Sequence, residues 1–172
     1  YQRGYIWSSD FKDKLLYSII KCYPIGNISL RVRTEKNPKG AMQEVVDGQQ
    51  RLTTVYKFIE NEYIIQSEIS KDIIRYIVEY MDGDTDEKLS KLKRKLNNKG
   101  KVAISFKQLP QAIQDNILAY NISITNITNA SDDEITEYFR YLQNQERLRA
   151  GELLNSIPDT ALEKYLNSIE NK

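Results

Sequence analysis

The chain has 172 residues, a formal net charge of +1 and no histidine. That length suits one domain with a buried core, near-neutrality supplies no global field toward nucleic acid or a membrane, and the lack of histidine excludes Ser-His triads, His-ligated zinc and the His-activated water of HNH-type nucleases. The single cysteine, Cys22, excludes an intrachain disulfide or a cysteine-cluster metal site; it is expected to be a small core residue of a protein in a reducing compartment.

Ser9 and Asp10 precede Phe11, Leu15, Ile19 and Cys22, whose spacing marks one helical stripe until Pro24 and Gly26 break it, so a helix is predicted over 10–22. Ile28, Leu30 and Val32 alternate with Ser29, Arg31 and Arg33, the period of a strand with one buried face. The run Asn37-Pro38-Lys39-Gly40 turns the chain. A short strand at 44–46 then runs into Asp47-Gly48, and Leu52, Val55, Tyr56, Ile59 and Tyr63 follow at helical spacing.

Further helices are expected over 68–81 and 87–97, on either side of the acidic stretch Asp82-Gly83-Asp84-Thr85-Asp86. Val102 to Phe106 is expected as a strand, Pro110 opens a helix to Leu118, and Tyr120, Ile122 and Ile124 alternate as another strand. Ser131-x-x-Glu134 is a capping box ahead of Ile135, Tyr138, Phe139 and Leu142, and Ala161 to Ile169 marks a last helix. The expected class is α+β, a small mixed sheet flanked by helices with a helical C-terminal part, in one domain spanning 1–172.

No stretch approaches the roughly 20 apolar residues that span a bilayer, and no basic-then-apolar leader opens the chain, so a soluble cytoplasmic protein is expected. It begins Tyr1-Gln2-Arg3 without an initiator Met, which reads as a start partway into a longer protein.

The segment richest in chemistry is Val45-Val46-Asp47-Gly48-Gln49-Gln50-Arg51. A strand that delivers a Gly turn to a helix start presents unpaired amides and the positive end of the helix dipole to an anion such as phosphate. Arg51 adds a planar cationic fork, Gln49 and Gln50 add amide donors and acceptors, and Asp47 suits a magnesium ion or the orientation of an attacking water. The same residues also fit a plain helix start, with Asp47 as N-cap, Gln50 closing a capping box and Gly48 permitting the turn. The pattern is neither a Walker loop nor a dinucleotide fingerprint.

Taken with Tyr1-Gln2-Arg3-Gly4-Tyr5-Ile6-Trp7, Ser18-Ile19, Tyr23-Pro24-Ile25-Gly26, Val46 to Thr54, and Phe139 through Asn144 to Glu152-Leu153, this segment resembles the DGQQR-motif N-terminal domain of GmrSD-type, modification-dependent restriction enzymes. The resemblance implies a ParB/sulfiredoxin-like core with a variable helical insert at about 64–101. It implies a domain that binds and hydrolyses a nucleoside triphosphate (GTP, ATP, CTP or UTP) with Mg2+ and senses modified or phage DNA, while a C-terminal or separate HNH-like nuclease domain cuts. Carried over by position, Asp47, Gln50 and Arg51 are the expected catalytic residues, with Asp47 holding the metal. Gln2, Arg3, Gly48, Gln49, Gln50 and Arg51 are the expected nucleotide ligands.

Asn144, Arg147, Arg149 and Glu152 resemble the family's second polar cluster, although Glu146 stands where relatives carry glycine. Lys88, Lys91, Lys93, Arg94, Lys95, Lys99 and Lys101 concentrate positive charge on one helix and its exit. Lys91, Arg94 and Lys95 are the expected DNA-backbone contacts there, weighed against an ordinary solvated helix face. Aromatic packing at Tyr1, Tyr5 and Trp7 and a turn at Pro24-Ile25-Gly26 are read as structural. The Asp82, Asp84, Asp86 run is an exposed turn rather than an EF-hand, because Glu87 and Lys93 occupy the sixth and twelfth positions. Two other functions remain open: a non-catalytic DNA-binding module, and direct DNA nuclease activity within the same site. An oligomer is also compatible with the sequence.

Overall fold

In the computed structural model, which describes residues 7–36 and 40–142, the first helix α1 spans Ser9–Ile20, starting one residue before the expected helix and ending two residues short of it. The Ser8 hydroxyl accepts from the Phe11 amide at 3.4 Å. Its buried face carries Asp13, Leu16, Ile19 and Ile20; of the predicted stripe Ile19 is buried and Leu15 packs on the core edge, whereas Phe11 is 63% exposed against Trp7. Cys22 is exposed rather than in the core, because α1 ends at Ile20 and Cys22 adopts φ 56 in the turn beyond it.

Strands β1 (Ile28–Val32), β2 (Gln43–Asp47) and β3 (Ile124–Thr128) form a sheet of order β2-β1-β3, antiparallel on one side of β1 and parallel on the other. The mixed sheet and the α+β class are as expected. The central strand is not buried on one face alone: Ile28, Ser29 and Arg31 are all covered, and the register shifts between Ser29 and Leu30. Arg31 is accommodated by Glu44 of β2 at 3.7 Å, which also takes Arg33 at 3.1 Å. A buried charge of this kind needs such a partner.

Helices α2 (Gln49–Ile59), α3 (Ser70–Tyr80), α4 (Glu87–Lys95) and α5 (Gln111–Leu118) fall close to their predicted places. Asp86, the last aspartate of the acidic stretch, caps α4 through bonds from the Lys88 and Leu89 amides. In α2 the face centres on Thr54 and Phe58, while Tyr56 is 60% exposed. Two strand expectations are corrected. Residues 102–106 make one bridge, Ile104 to Ile65, before Ser105 and Gln108 cap a 3-10 turn at Phe106–Gln108. β3 begins at Ile124 rather than Tyr120, because the Tyr120 hydroxyl is used elsewhere: it accepts from the Ile25 amide and donates to the Tyr23 carbonyl.

The described residues divide into two units after Thr128. In the first, the core joins Leu16, Ile19 and Phe58 to Ile65, Ile73 and Ile77 from the stretch expected to be an insert. In the second, residues 132–142 are helical. Ser131 and Glu134 form the predicted capping box, with Ser131 N–H donating to Glu134 Oε2 at 2.8 Å and Glu134 N–H to Ser131 Oγ at 3.3 Å. The expected helix at 161–169 and the turn residues 37–39 lie outside the described residues. Among the described residues no helix is long and apolar enough to cross a membrane.

One carboxylate is fully buried in this core. Asp13 accepts from Tyr63 Oη at 2.7 Å, the Gln66 amide at 3.0 Å and the Ser67 amide at 2.7 Å, tying α1 to the segment after α2. Removing it strands two backbone amides, and hydrogen bonds to a charged group are worth about 1.5–3 kcal/mol each in place. Asp13→Ala is expected to lower unfolding free energy by about 3 kcal/mol in a urea titration with an unchanged slope. Asp13→Asn, which keeps one acceptor for the amides and a donor for the tyrosine hydroxyl, is expected to lose less than half as much. Equal losses in the two variants would contradict the amide-satisfying role.

Candidate functional site

β2 carries Asp47 to its end, and Gly48 turns the chain into α2 with φ 93 and ψ 8. This left-handed geometry strains any residue with a Cβ, and a Cβ at Gly48 would also collide with the Ile28 side chain of β1. Glycine is therefore required twice over. The helix starts without a side-chain cap, so the plain alternative of an Asp47 N-cap closed by Gln50 is not what forms. The first helical bond runs from the Leu52 amide to the Gly48 carbonyl at 3.0 Å. Gly48, at the cap position, offers no side chain to the first-turn amides, which point along the positive end of the helix dipole.

Asp47 turns instead to Arg51, one helical turn on. Its Oδ2 accepts from Arg51 Nη2 at 2.6 Å, and Arg51 Nη1 donates to the Ile25 carbonyl at 3.0 Å. The guanidinium, 16% exposed, thus holds the end of β2, the start of α2 and the connection between α1 and β1. A Cβ on Gly26, at φ 84, would stand 2.7 Å from Arg51 Nη1, so Gly26 lets the guanidinium lie against the backbone. The glycine of the Pro24-Ile25-Gly26 turn has a partner that sequence spacing did not reveal, 25 residues downstream.

The remaining members of the motif face different surroundings. Gln49 is exposed. Gln50 has its carboxamide oxygen out of solvent, and its carbonyl accepts from Thr54 Oγ1 at 2.7 Å. The structure brings Asp47, Gly48, Gln49 and Arg51 to one turn, with Arg51 turned toward protein acceptors rather than held as an open fork. Gln2, Arg3, Asn144, Arg147, Arg149 and Glu152 lie outside the described residues.

Among the described residues there is no group of three or more His, Cys, Asp or Glu that could hold a metal. A divalent ion at this turn would rest on the side chain of Asp47, 36% exposed, and on oxygens of a bound phosphate. Mg2+ accepts that arrangement, since it takes one or two carboxylates together with substrate phosphates and water.

The basic helix is more occupied than its sequence suggests. Lys91 pairs with Glu87 at 2.7 Å and Lys101 with Glu68 at 3.0 Å. Lys95 is folded onto the Ala103 carbonyl and Gln108 Oε1, where burial lowers its pKa. Arg94 is exposed, as are Lys93 and Lys99. Of the three expected DNA contacts, Arg94 is exposed, whereas Lys91 and Lys95 are engaged within the protein.

Compared with known proteins, residues 1–157 match the family described as GmrSD restriction endonuclease, N-terminal domain. Nothing matches the chain among curated proteins or among solved structures.

The close approach of Arg51 to Gly26 gives a prediction about coupling. Gly83, also at positive φ and with nothing within 4 Å, is a control for backbone strain alone, worth about 1–2 kcal/mol. Gly26→Ala is expected to destabilise by about 2 kcal/mol more than Gly83→Ala, and that excess should vanish in an Arg51→Ala background. An excess that survives loss of the guanidinium would disprove the contact as its cause; denaturant midpoints of the four proteins decide it.

Proposed function

From a chain that belongs to the GmrSD restriction endonuclease N-terminal domain family, and so has its place in a restriction system, we propose that the Asp47–Arg51 turn binds a nucleoside triphosphate and promotes its hydrolysis. Nucleotide state would then be coupled to DNA recognition, or to cleavage by an HNH-like nuclease domain beyond this one. The observation that supports this reading is the uncapped start of α2 behind Gly48, with Gln49 in solvent beside it. Amides at a helix start favour a phosphate, and the dipole adds to them.

The Asp47–Arg51 pair gives the turn a way to respond. A phosphate oxygen placed over the first turn competes with Asp47 for the Arg51 guanidinium, which binds planar oxyanions in a bidentate manner. A phosphate carries more negative charge than a single carboxylate, so it is a strong competitor for the guanidinium. Once displaced, the Asp47 carboxylate is free to orient a water toward the phosphorus. Mg2+, when bound, would be held by Asp47 and supply charge neutralisation on the phosphoryl oxygens. Gln2 and Arg3 are assigned to the same site by their position in the family's motif.

Titration calorimetry of the chain with GTP, ATP, CTP and UTP in magnesium buffer tests the binding step. At least one is expected to bind, and Gln49→Ala should weaken it about tenfold to 100-fold, the worth of one hydrogen bond to a charged group, without altering the melting temperature. Absence of binding for all four nucleotides would sink the proposal. Asp47→Asn is expected to slow phosphate release at saturating nucleotide by about 100-fold or more while changing affinity much less, because an oriented water matters in the transition state. An unaltered turnover would remove Asp47 from the chemistry.

A further inference from the structure

Away from the Gly48 turn, the first unit carries a cluster of rings around one cation. Tyr17 of α1 and Tyr76 of α3 meet edge to face at 6.0 Å, and Tyr76 stacks on Tyr80 at 6.0 Å with planes 20° apart. Lys21, just beyond α1, places Nζ 4.3 Å from the Tyr17 centroid, 5.1 Å from Tyr76 and 5.6 Å from Tyr23. The inner rings, Tyr17 and Tyr76, pack on the hydrophobic core. The outer rings stay open, Tyr23 at 55% and Tyr80 at 59% exposure.

Two features distinguish this cluster from rings that merely cover a core edge. The Lys21 ammonium has no carboxylate partner among the described residues; its pKa is raised by the Tyr17 hydrogen bond, so it remains a cation facing the rings. The backbone under Tyr23 is also fixed, because Tyr120 Oη donates to the Tyr23 carbonyl at 2.7 Å and accepts from the Ile25 amide at 3.2 Å. A ring presented from a fixed backbone loses little freedom when something stacks on it.

We infer that Tyr23, Tyr80 and Lys21 form a stacking platform for unpaired nucleotides of DNA, with the two exposed rings taking base faces and the ammonium taking the phosphate between them. Aromatic faces interleaved with a cation are the elements of single-strand binding, where each stacked base contributes without regard to its identity. A duplex keeps its base faces to itself and offers these rings nothing flat to cover. DNA rather than another strand follows from the chain's restriction family. The platform needs no triphosphate at the Gly48 turn, and its assay contains none, so the two readings fail separately.

The test is fluorescence anisotropy of a labelled oligo(dT) of about 12 nucleotides, within the range one single-strand site covers, titrated with the protein. Controls are a duplex of the same length and the matching oligo(U). Oligo(dT) is expected to bind more tightly than either. Tyr23→Ala and Tyr80→Ala should each weaken it about tenfold while leaving thermal unfolding unchanged, Tyr80→Phe should bind as the parent does, and Lys21→Gln should reduce the salt slope by about 0.7. Unchanged affinity in both alanine variants overturns the platform, as does tighter binding of the duplex or of the RNA. So does a sedimenting dimer that Tyr80→Ala abolishes, which would give the patch to a second copy of the chain.

Discussion

Arg51 reaches back from the first turn of α2 to the carbonyl of Ile25, and on the way it takes the carboxylate of Asp47. That one planar group registers the β2–α2 junction, the end of a strand and the start of a helix, against the distant turn leaving α1. Two glycines make room for it. Gly48 supplies the left-handed backbone that turns β2 into α2, and Gly26 removes the side chain that would block the guanidinium. Much of the motif Asp-Gly-Gln-Gln-Arg therefore serves the geometry of the turn as well as any ligand. A reading in which every motif residue points at a substrate leaves out the bonds that place the turn.

The helices around this clip are positioned by two kinds of force. Apolar burial is the larger, and it comes substantially from residues 64–101, whose Ile65, Ile73, Ile77 and Leu89 share a core with Leu16 and Phe58. Burial of such side chains is worth about 1.5–3 kcal/mol apiece, so this stretch is part of what holds α1 and α2 together. The second force is directional. Asp13 satisfies the Gln66 and Ser67 amides where the chain leaves α2 and has no ladder partner to offer them.

How much of this was legible follows from which signals are local. Helix existence at α2, α3, α4 and α5 could be read because apolar spacing and caps lie within one element, and the Ser131–Glu134 box formed as written. The α1 stripe was misplaced in part because Phe11 is an exposed aromatic, whereas the buried polar Asp13 occupies the core face; hydrophobicity alone cannot see a carboxylate satisfied by amides 53 and 54 residues away. Tyr120 looked like a strand residue by alternation but is spent on the Tyr23–Ile25 turn. At the candidate site, the Gly48 turn was visible from strand, glycine and helix signals in sequence. The engagement of Arg51 with Ile25 was not, since a backbone carbonyl leaves no mark in the sequence.

The segment from Lys21 to Gly26 is where the two surfaces of the first unit meet. Its beginning holds the cation and ring of the aromatic cluster, and its end holds the carbonyl and glycine that receive Arg51. Tyr120 clamps the middle from both sides, through the Tyr23 carbonyl and the Ile25 amide. A ligand that drew the guanidinium away from Ile25 would release one end of a six-residue stretch whose other end presents Tyr23. Tyr120 holds that stretch through both bonds, so one side chain sets the backbone behind the two surfaces at once.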